Sequence, residues 1–249
     1  MKKIIYRGIS DIGLKRNANQ DGILMYSKSE YEISLFAVAD GMGGHSHGEL
    51  ASREIIIGLK NWISSIQPQF FQYNFSKLMR LLEDKLLEIN RKIFHEYNQD
   101  KVCGSTCVIL LIYGENYGVI NVGDSRIFHK RGFKVKSLME DDVWENQRKI
   151  KSSLSKTKIR NHPNYGKLIQ SVGTRKDVYL SVKTNRLREG EAFMLCSDGL
   201  YKYCPTRVYK KVLKKVSIKN LEDSISILMK KVYEAGAGDN ISLILVKCI

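Results

Sequence analysis

The 249-residue sequence contains no CxxC pair, and its five cysteines (Cys103, Cys107, Cys196, Cys204 and Cys248) are an odd number. That argues against a disulfide framework or a zinc knuckle. Reduced thiols, buried as small hydrophobic groups, are the expectation. Long apolar runs are missing too: stretches such as Cys107 to Tyr113 fall far short of the ~20 residues of a membrane span, so no membrane anchor is expected. The N-terminus, Met1-Lys2-Lys3-Ile4-Ile5-Tyr6, reaches Arg7 before an apolar region develops. A secretory signal is therefore not expected, and the protein should stay in the cytoplasm. Repeats and linkers are likewise lacking, so residues 1–249 are expected to form a single domain, long enough to bury its own core.

Acidic residues are few beside the basic ones, 26 against 41, which gives a net charge of +15. Two readings stay open. The charge suits nucleic acid, an anionic membrane surface or acidic and phosphorylated proteins, or it reflects a composition rich in Lys, Asn, Ile and Tyr. The lysines are spread along the chain without an aromatic-interleaved basic module, so a nucleic-acid partner is not favoured.

Apolar patterning predicts three strands in the first 40 residues. In the third, Ile33, Leu35, Ala37 and Ala39 alternate with Ser34, Phe36 and Val38, as in a strand buried on both faces. After the glycine-rich turn at Gly41–His45, a helix of about 18 residues carries Ala51, Ile55, Leu59, Trp62 and Ile66 on one face. A second helix begins near Asn74, with the stripe Leu78, Leu82, Leu86, Ile89, Ile93 and Tyr97, and should pack antiparallel to the first. From Gly104 to Leu138 turn residues separate short apolar segments, which predicts an antiparallel meander. Periodicity is lost over 140–166, where Glu145 to Arg160 holds six basic residues against one acid. Strands are expected again at Val178–Lys183, Ala192–Cys196 and Ile241–Val246, and helices at Thr206–Val216 and Asn220–Glu234. The order indicates an α+β fold, with sheets packed face to face and helices outside.

Four aspartates share one setting. Asp40, Asp124, Asp198 and Asp239 each sit at the mouth of an apolar strand beside a small residue. One such aspartate is ordinarily a turn residue. Four gathered at one end of a sandwich would repel one another unless a hard divalent cation with oxygen ligands lay between them. Softer metals are disfavoured because the sequence offers no Cys/His cluster.

The segments Gly13-Leu-Lys-Arg16-Asn-Ala-Asn19-Gln-Asp21, Ala39-Asp-Gly-Met-Gly-Gly-His45, Gly104-Ser-Thr106, Asn121-Val-Gly-Asp-Ser-Arg126, Leu195-Cys-Ser-Asp-Gly-Leu200 and Gly238-Asp-Asn-Ile-Ser242 resemble, in order, the motifs of the PPM/PP2C protein serine/threonine phosphatases, with Met42 as in the bacterial branch. The resemblance implies a four-layer αββα sandwich with a flap near 140–166. It implies two Mn2+ or Mg2+ ions per site, bridged by Asp40, with Asp21 and the Gly41 carbonyl on one side and Asp198 and Asp239 on the other. Asp124 matches an outer ligand of a third, weaker ion, and Arg16 a phosphate-gripping arginine. Asn19 would shape the loop that presents Asp21. A water shared by the two cations would then attack phosphorus in line on a phosphoserine or phosphothreonine, with Arg16, Asp40, Asp198 and Asp239 as the catalytic set. The implied partners are phosphorylated proteins, the substrates of a serine/threonine kinase, met by a monomer.

Several positions depart from the family pattern. Gln20 stands where some members carry glutamate. Met42 replaces a histidine proposed as general acid, which leaves a water on the third ion, His45 or His162 to assist the leaving group and contact substrate. Asp142 takes the place of another family histidine, and Asp141 either supports the metal site or makes a turn. The basic run in the flap either favours acidic substrates or is a solvated loop. Three other classes remain to be told apart from the phosphatase: a metal-free binding module, a basic nucleic-acid-associated protein, and a hydrolase of small phosphate esters.

Overall fold

The computed structural model describes residues 3–43, 47–66, 74–98 and 102–249. The N-terminal strands are β1 (Ile4–Asp11), β2 (Asp21–Lys28) and β3 (Ile33–Met42), followed by helices α1 (His47–Ser65) and α2 (Phe75–Tyr97). Next come β4 (Gly104–Ser105), β5 (Cys107–Tyr113), β6 (Asn116–Val122), β7 (Arg126–Arg131) and β8 (Lys134–Ser137). Two short helices, α3 (Arg148–Ser153) and α4 (Lys156–Arg160), precede β9 (Ser181–Arg186) and β10 (Ala192–Cys196). The chain ends with α5 (Asp198–Tyr201), α6 (Thr206–Lys215), α7 (Leu221–Glu234) and β11 (Ile241–Cys248).

Two antiparallel sheets form, one ordered β1-β11-β10-β7-β8 and the other β2-β3-β5-β6-β9 with β4 attached to β3. Strand periodicity decides how they stack, because successive side chains leave a strand on opposite faces. In β3, Phe36 and Val38 point between the sheets, where they meet Val108, Leu110, Phe193, Leu195, Ile244 and Val246. Leu35, Ala37 and Ala39 point the other way, against Ala51, Ile55 and Leu59 of α1 and Leu82 and Leu86 of α2. On the other sheet, Met194, Cys196, Leu243 and Leu245 face outward onto Leu213 of α6 and Leu228 and Val232 of α7. The result is the expected α+β sandwich of helices, sheet, sheet and helices. All five cysteines are free and buried within these layers.

Helix α2 starts where its capping chemistry dictates: the Asn74 side chain accepts from the Lys77 amide at 2.9 Å. Its stripe Leu78, Leu82, Leu86, Ile89 and Ile93 is buried as the spacing predicts. The pairing of α1 with α2 is tightened where Gly58 lets Ile89 approach, and Lys92 of α2 pairs with Glu54 of α1 at 2.6 Å.

Three local expectations are corrected. Residues 104–138 are not one meander: β5–β6 and β7–β8 are hairpins in different sheets. The chain crosses between them at Gly123 (φ +99°), Asp124 and Ser125. The flap is not structureless, since it holds α3 and α4, each too short to display an apolar period. Its ends are clasped together, with the Trp144 amide donating to the Lys167 carbonyl and the Ile169 amide to the Asp142 carbonyl, both at 2.9 Å. The strand expected at Val178–Lys183 begins three residues later. Tyr179 instead exchanges two backbone hydrogen bonds with the Gln170 side-chain amide, and the strand runs on through polar residues to Arg186 because it is an edge strand.

The buried Asn90 of α2 fixes the chain just beyond the flap: it accepts from the Gly173 amide at 2.7 Å and donates to the carbonyls of Arg175 and Lys176. Asn90→Ala strands these backbone groups and is expected to cost about 2–3 kcal/mol in urea denaturation, with faster hydrogen exchange at Gly173. An unchanged denaturation midpoint would show that solvent replaces the amide without loss.

Candidate active site

Antiparallel pairing brings strand starts and strand ends to the same rim, and there the aspartates collect. Asp21 opens β2 and lies directly opposite Asp40 near the end of β3. Asp198 follows the end of β10, Asp239 precedes β11, and Asp124 sits at the crossing from β6 to β7. These residues, apart from Asp21, border one cavity of about 590 Å³ together with Arg16, Gln20, Gly41, Met42, Thr106, Lys202 and the flap residues Gly166, Lys167 and Leu168. A larger depression of about 690 Å³ lies elsewhere, between Tyr31, Phe75 and Tyr113. Chemistry rather than volume selects the aspartate cavity.

The rim is held by backbone-directed bonds. The Asp40 amide donates to Thr106 Oγ1 at 3.2 Å, and its carbonyl accepts from the Thr106 amide at 2.8 Å. Asn19 Oδ1 accepts from the Asp21 amide at 3.1 Å, so it does shape the loop that presents this aspartate. Asn240 ties the same loop to β11, accepting from the Gln20 amide and donating to the carbonyls of Ile12 and Ala18. Gly41 and Gly199 leave no room for a side chain. A Cβ on Gly41 would lie 2.2 Å from the Gly48 carbonyl oxygen, and one on Gly199 would lie 1.9 Å from that of Asn240.

Electrostatically the rim is a set of mutually repelling carboxylates. Burial pushes the Asp40 carboxyl well above the usual carboxylate range, and the charges of Asp21, Asp198, Asp124 and Asp239 push it further. Burial likewise raises Asp21 to about 6, opposed by hydrogen bonds from Ser242 and Ser197. Asp124 also rises to about 6, through burial and then the charge of Asp198. One oxygen of Asp21 accepts from Ser197 Oγ at 2.8 Å, whereas the other is buried without a hydrogen-bond partner. Such an orphaned acceptor facing other carboxylates fits a hard cation.

Two basic side chains pair directly with the rim aspartates among the described residues. Arg16 makes a two-pronged ion pair with Asp239, at 2.8 and 2.9 Å, and Lys202 binds Asp198 one helical turn away. With Asp198 and Asp239 turned to these partners, among the described residues no three carboxylate, imidazole or thiol groups converge closely enough to hold an ion. The donor set and the orphaned oxygen nonetheless fit a divalent ion, provided that these two aspartates rotate off their ammonium and guanidinium partners.

Arg16, Asp21, Asp40, Gly41, Asp124, Asp198 and Asp239 are thus brought to one rim. His162 is not: its ring stacks on Trp144 at 4.0 Å between centroids, its Nδ1 accepts from the Asn164 amide, and it does not border the cavity. His45 lies outside the described residues. Asp141 is engaged by Arg126 through three contacts of 2.6 to 3.0 Å. Asp142 anchors the flap by accepting from the Gly123 amide at 2.9 Å. The basic residues of α3 and α4 do not border the cavity, and Lys167 alone brings flap charge to it. Lys202, Lys167 and Ser197 escaped the sequence reading. The four-residue spacing of Asp198 and Lys202 was the one available signal.

The family described as Protein phosphatase 2C matches residues 14–234. The serine/threonine phosphatase stp of Listeria monocytogenes serotype 4b is 27% identical over 243 residues, covering 96% of this chain and 93% of the relative. Among solved structures, the serine/threonine phosphatase of S. agalactiae superposes with a TM-score of 0.84 at 27% identity, covering 98% of this chain and 99% of that one. The catalytic domain of PstP, in complex with two manganese ions, shares the fold with a TM-score of 0.80 at 23% identity and full coverage of both chains.

Because the folded-state values of Asp21 and Asp124 rise from 3.8 to about 6, the metal-free fold binds more protons than the unfolded chain between these limits. Its stability therefore falls as pH rises through that window, and the penalty is complete above it. In EDTA, melting temperature is expected to decline from pH 5 to pH 7.5, and the rise caused by Mn2+ to be larger at pH 7.5. A Mn2+ shift independent of pH would contradict this. Lys202→Met is expected to lower the melting temperature in EDTA yet tighten Mn2+ binding about three- to tenfold by calorimetry, since the ammonium no longer competes for Asp198. Weaker binding would show that Lys202 assists the ion.

Proposed function

The chain belongs to the protein phosphatase 2C family, and from that premise we propose how its rim of aspartates is divided between metal ions and substrate. It is a metal-dependent serine/threonine protein phosphatase, and its cofactors are Mn2+ or Mg2+. In the proposed arrangement Asp40 would be shared by two ions, one also held by Asp21 and the Gly41 carbonyl and the other by Asp198 and Asp239. Asp124 faces a third, more weakly held ion. The observation that carries this reading is the Asp40 carboxylate, which borders the cavity with four other carboxylates as its charged neighbours.

When bound, the ions supply Lewis-acid assistance to the phosphoryl group and lower the pKa of a nucleophilic water. The protein does the rest. The Arg16 guanidinium, which pairs with Asp239 here, would turn its planar fork to two equatorial phosphoryl oxygens when Asp239 serves an ion. Lys202 and Lys167 add positive charge on the same cavity, where charge builds as the bond to phosphorus breaks. With Met42 on the cavity wall and His162 held against Trp144, a solvent water near Asp124 is the proposed proton donor to the leaving serine or threonine oxygen.

The substrates are phosphorylated proteins; that they are those of a serine/threonine kinase, that the enzyme acts as a monomer in the cytoplasm, and that residues 1–249 form one domain are parts of the same proposal. No described helix is long and apolar enough to cross a membrane.

Phosphate release from a phosphothreonine peptide is expected to require Mn2+ and to be lost in EDTA and in Asp198→Ala. Arg16→Ala is expected to raise KM about tenfold or more, as a charge-assisted pair is lost. Undiminished turnover in EDTA would contradict the reading.

A further inference from the structure

The layer between the sheets is apolar along most of its length, but at the open side formed by β8 and β9 it turns basic. In the β7–β8 hairpin, His129 lies opposite Lys136 and Arg131 opposite Lys134. Directly opposed residues share a face, and two residues before His129 stands Ile127, which points between the sheets. Across the gap, β9 places Lys183 opposite Val119 and Asn185 opposite Tyr117, two more inward-facing residues. These side chains line one cavity of about 190 Å³, with Tyr117 and Leu138 beneath them.

Charge in this cavity is not balanced from within. Glu191, packed behind it, is taken by Arg131. Among the described residues Lys134 and Lys136 have no ion pair, and Lys183 reaches just the Leu138 carbonyl at 3.4 Å. His129 is 3% exposed, stacks on Phe193 at 4.6 Å, and keeps its Nε2 without a hydrogen bond, although a Glu191 oxygen stands 3.4 Å away. Three lysines without an ion pair among the described residues, Lys134, Lys136 and Lys183, therefore line one slot floored by Tyr117 and Leu138, their side chains exposed at its mouth, while the His129 imidazole faces Glu191 behind it.

We propose that this slot is an anion site for a phosphate group, separate from the catalytic rim, gripped by Lys134, Lys136 and Lys183 with Asn185 as a neutral donor. The phosphate is either free inorganic phosphate or a second phosphoryl group on a substrate; the latter source rests on the phosphatase reading, the former does not. Lysines on edge strands also serve to block unwanted strand pairing. That role needs no ligand, and it is the alternative that the experiment separates.

Metal-free protein in EDTA is titrated with inorganic phosphate against chloride at matched ionic strength, following backbone amide shifts. Saturable shifts are expected at residues 129–136 and 183–185, weakened about tenfold or more in the Lys136→Gln/Lys183→Gln double variant and unchanged in Arg16→Ala. Turnover by the manganese-loaded enzyme of a singly and a doubly phosphorylated peptide then identifies the source. A doubly phosphorylated peptide that loses its KM advantage in the double variant assigns the slot to substrate. Equal KM values for both peptides, with phosphate still bound, assign it to the free ion. Shifts absent from these strands, or of equal strength in the folded double variant, overturn the proposal and leave the lysines as edge protection. Turnover of p-nitrophenyl phosphate, run alongside, reports on the catalytic rim alone.

Discussion

Five carboxylates cannot share the mouth of a desolvated cleft without positive charge between them. In this protein the repulsion is met by Arg16 on Asp239 and by Lys202 on Asp198, while Asp40 and one oxygen of Asp21 are left uncompensated. On the proposed assignment two of the aspartates carry exchangeable partners and two would take up a cation. Arg16 and Lys202, which neutralise the rim without metal, would on that assignment turn to phosphate with it, which would couple cation loading to substrate recognition.

Holding such a cluster requires a scaffold that does not relax, and the sandwich provides it. Strands β3 and β5 bury both faces, one against the opposing sheet and one against α1 and α2, so a shift of register by one residue would turn every apolar side chain to the wrong layer. The Asp21–Asp40 juxtaposition follows from that fixed register. Asn240 and Thr106 convert it into a rigid rim by tying loops from three strands to one another through the backbone.

The parts legible in the sequence were those with strong periodicity or repeated motif. The double-faced alternation of residues 33–39, the apolar stripe of α2 from Leu78 to Ile93 and the four strand-end aspartates all correspond to observed features. What the sequence hid was either short-range or relational. Helices α3 and α4 span too few residues for an apolar stripe to register, and β9 is an edge strand whose polar side chains mask it. Lys202 looked like any helical lysine until its turn placed it on Asp198. His162 is a candidate in the sequence because Met42 leaves the place of a family histidine empty, yet stacking on Trp144 turns its ring aside.

The most direct test of the account is anomalous diffraction from crystals grown with Mn2+. Two peaks about 3.5–4 Å apart are expected, bridged by the Asp40 carboxylate, with Asp198 and Asp239 swung away from Lys202 and Arg16. A structure in which Mn2+ binds elsewhere, or in which both ion pairs persist beside a loaded site, would contradict it.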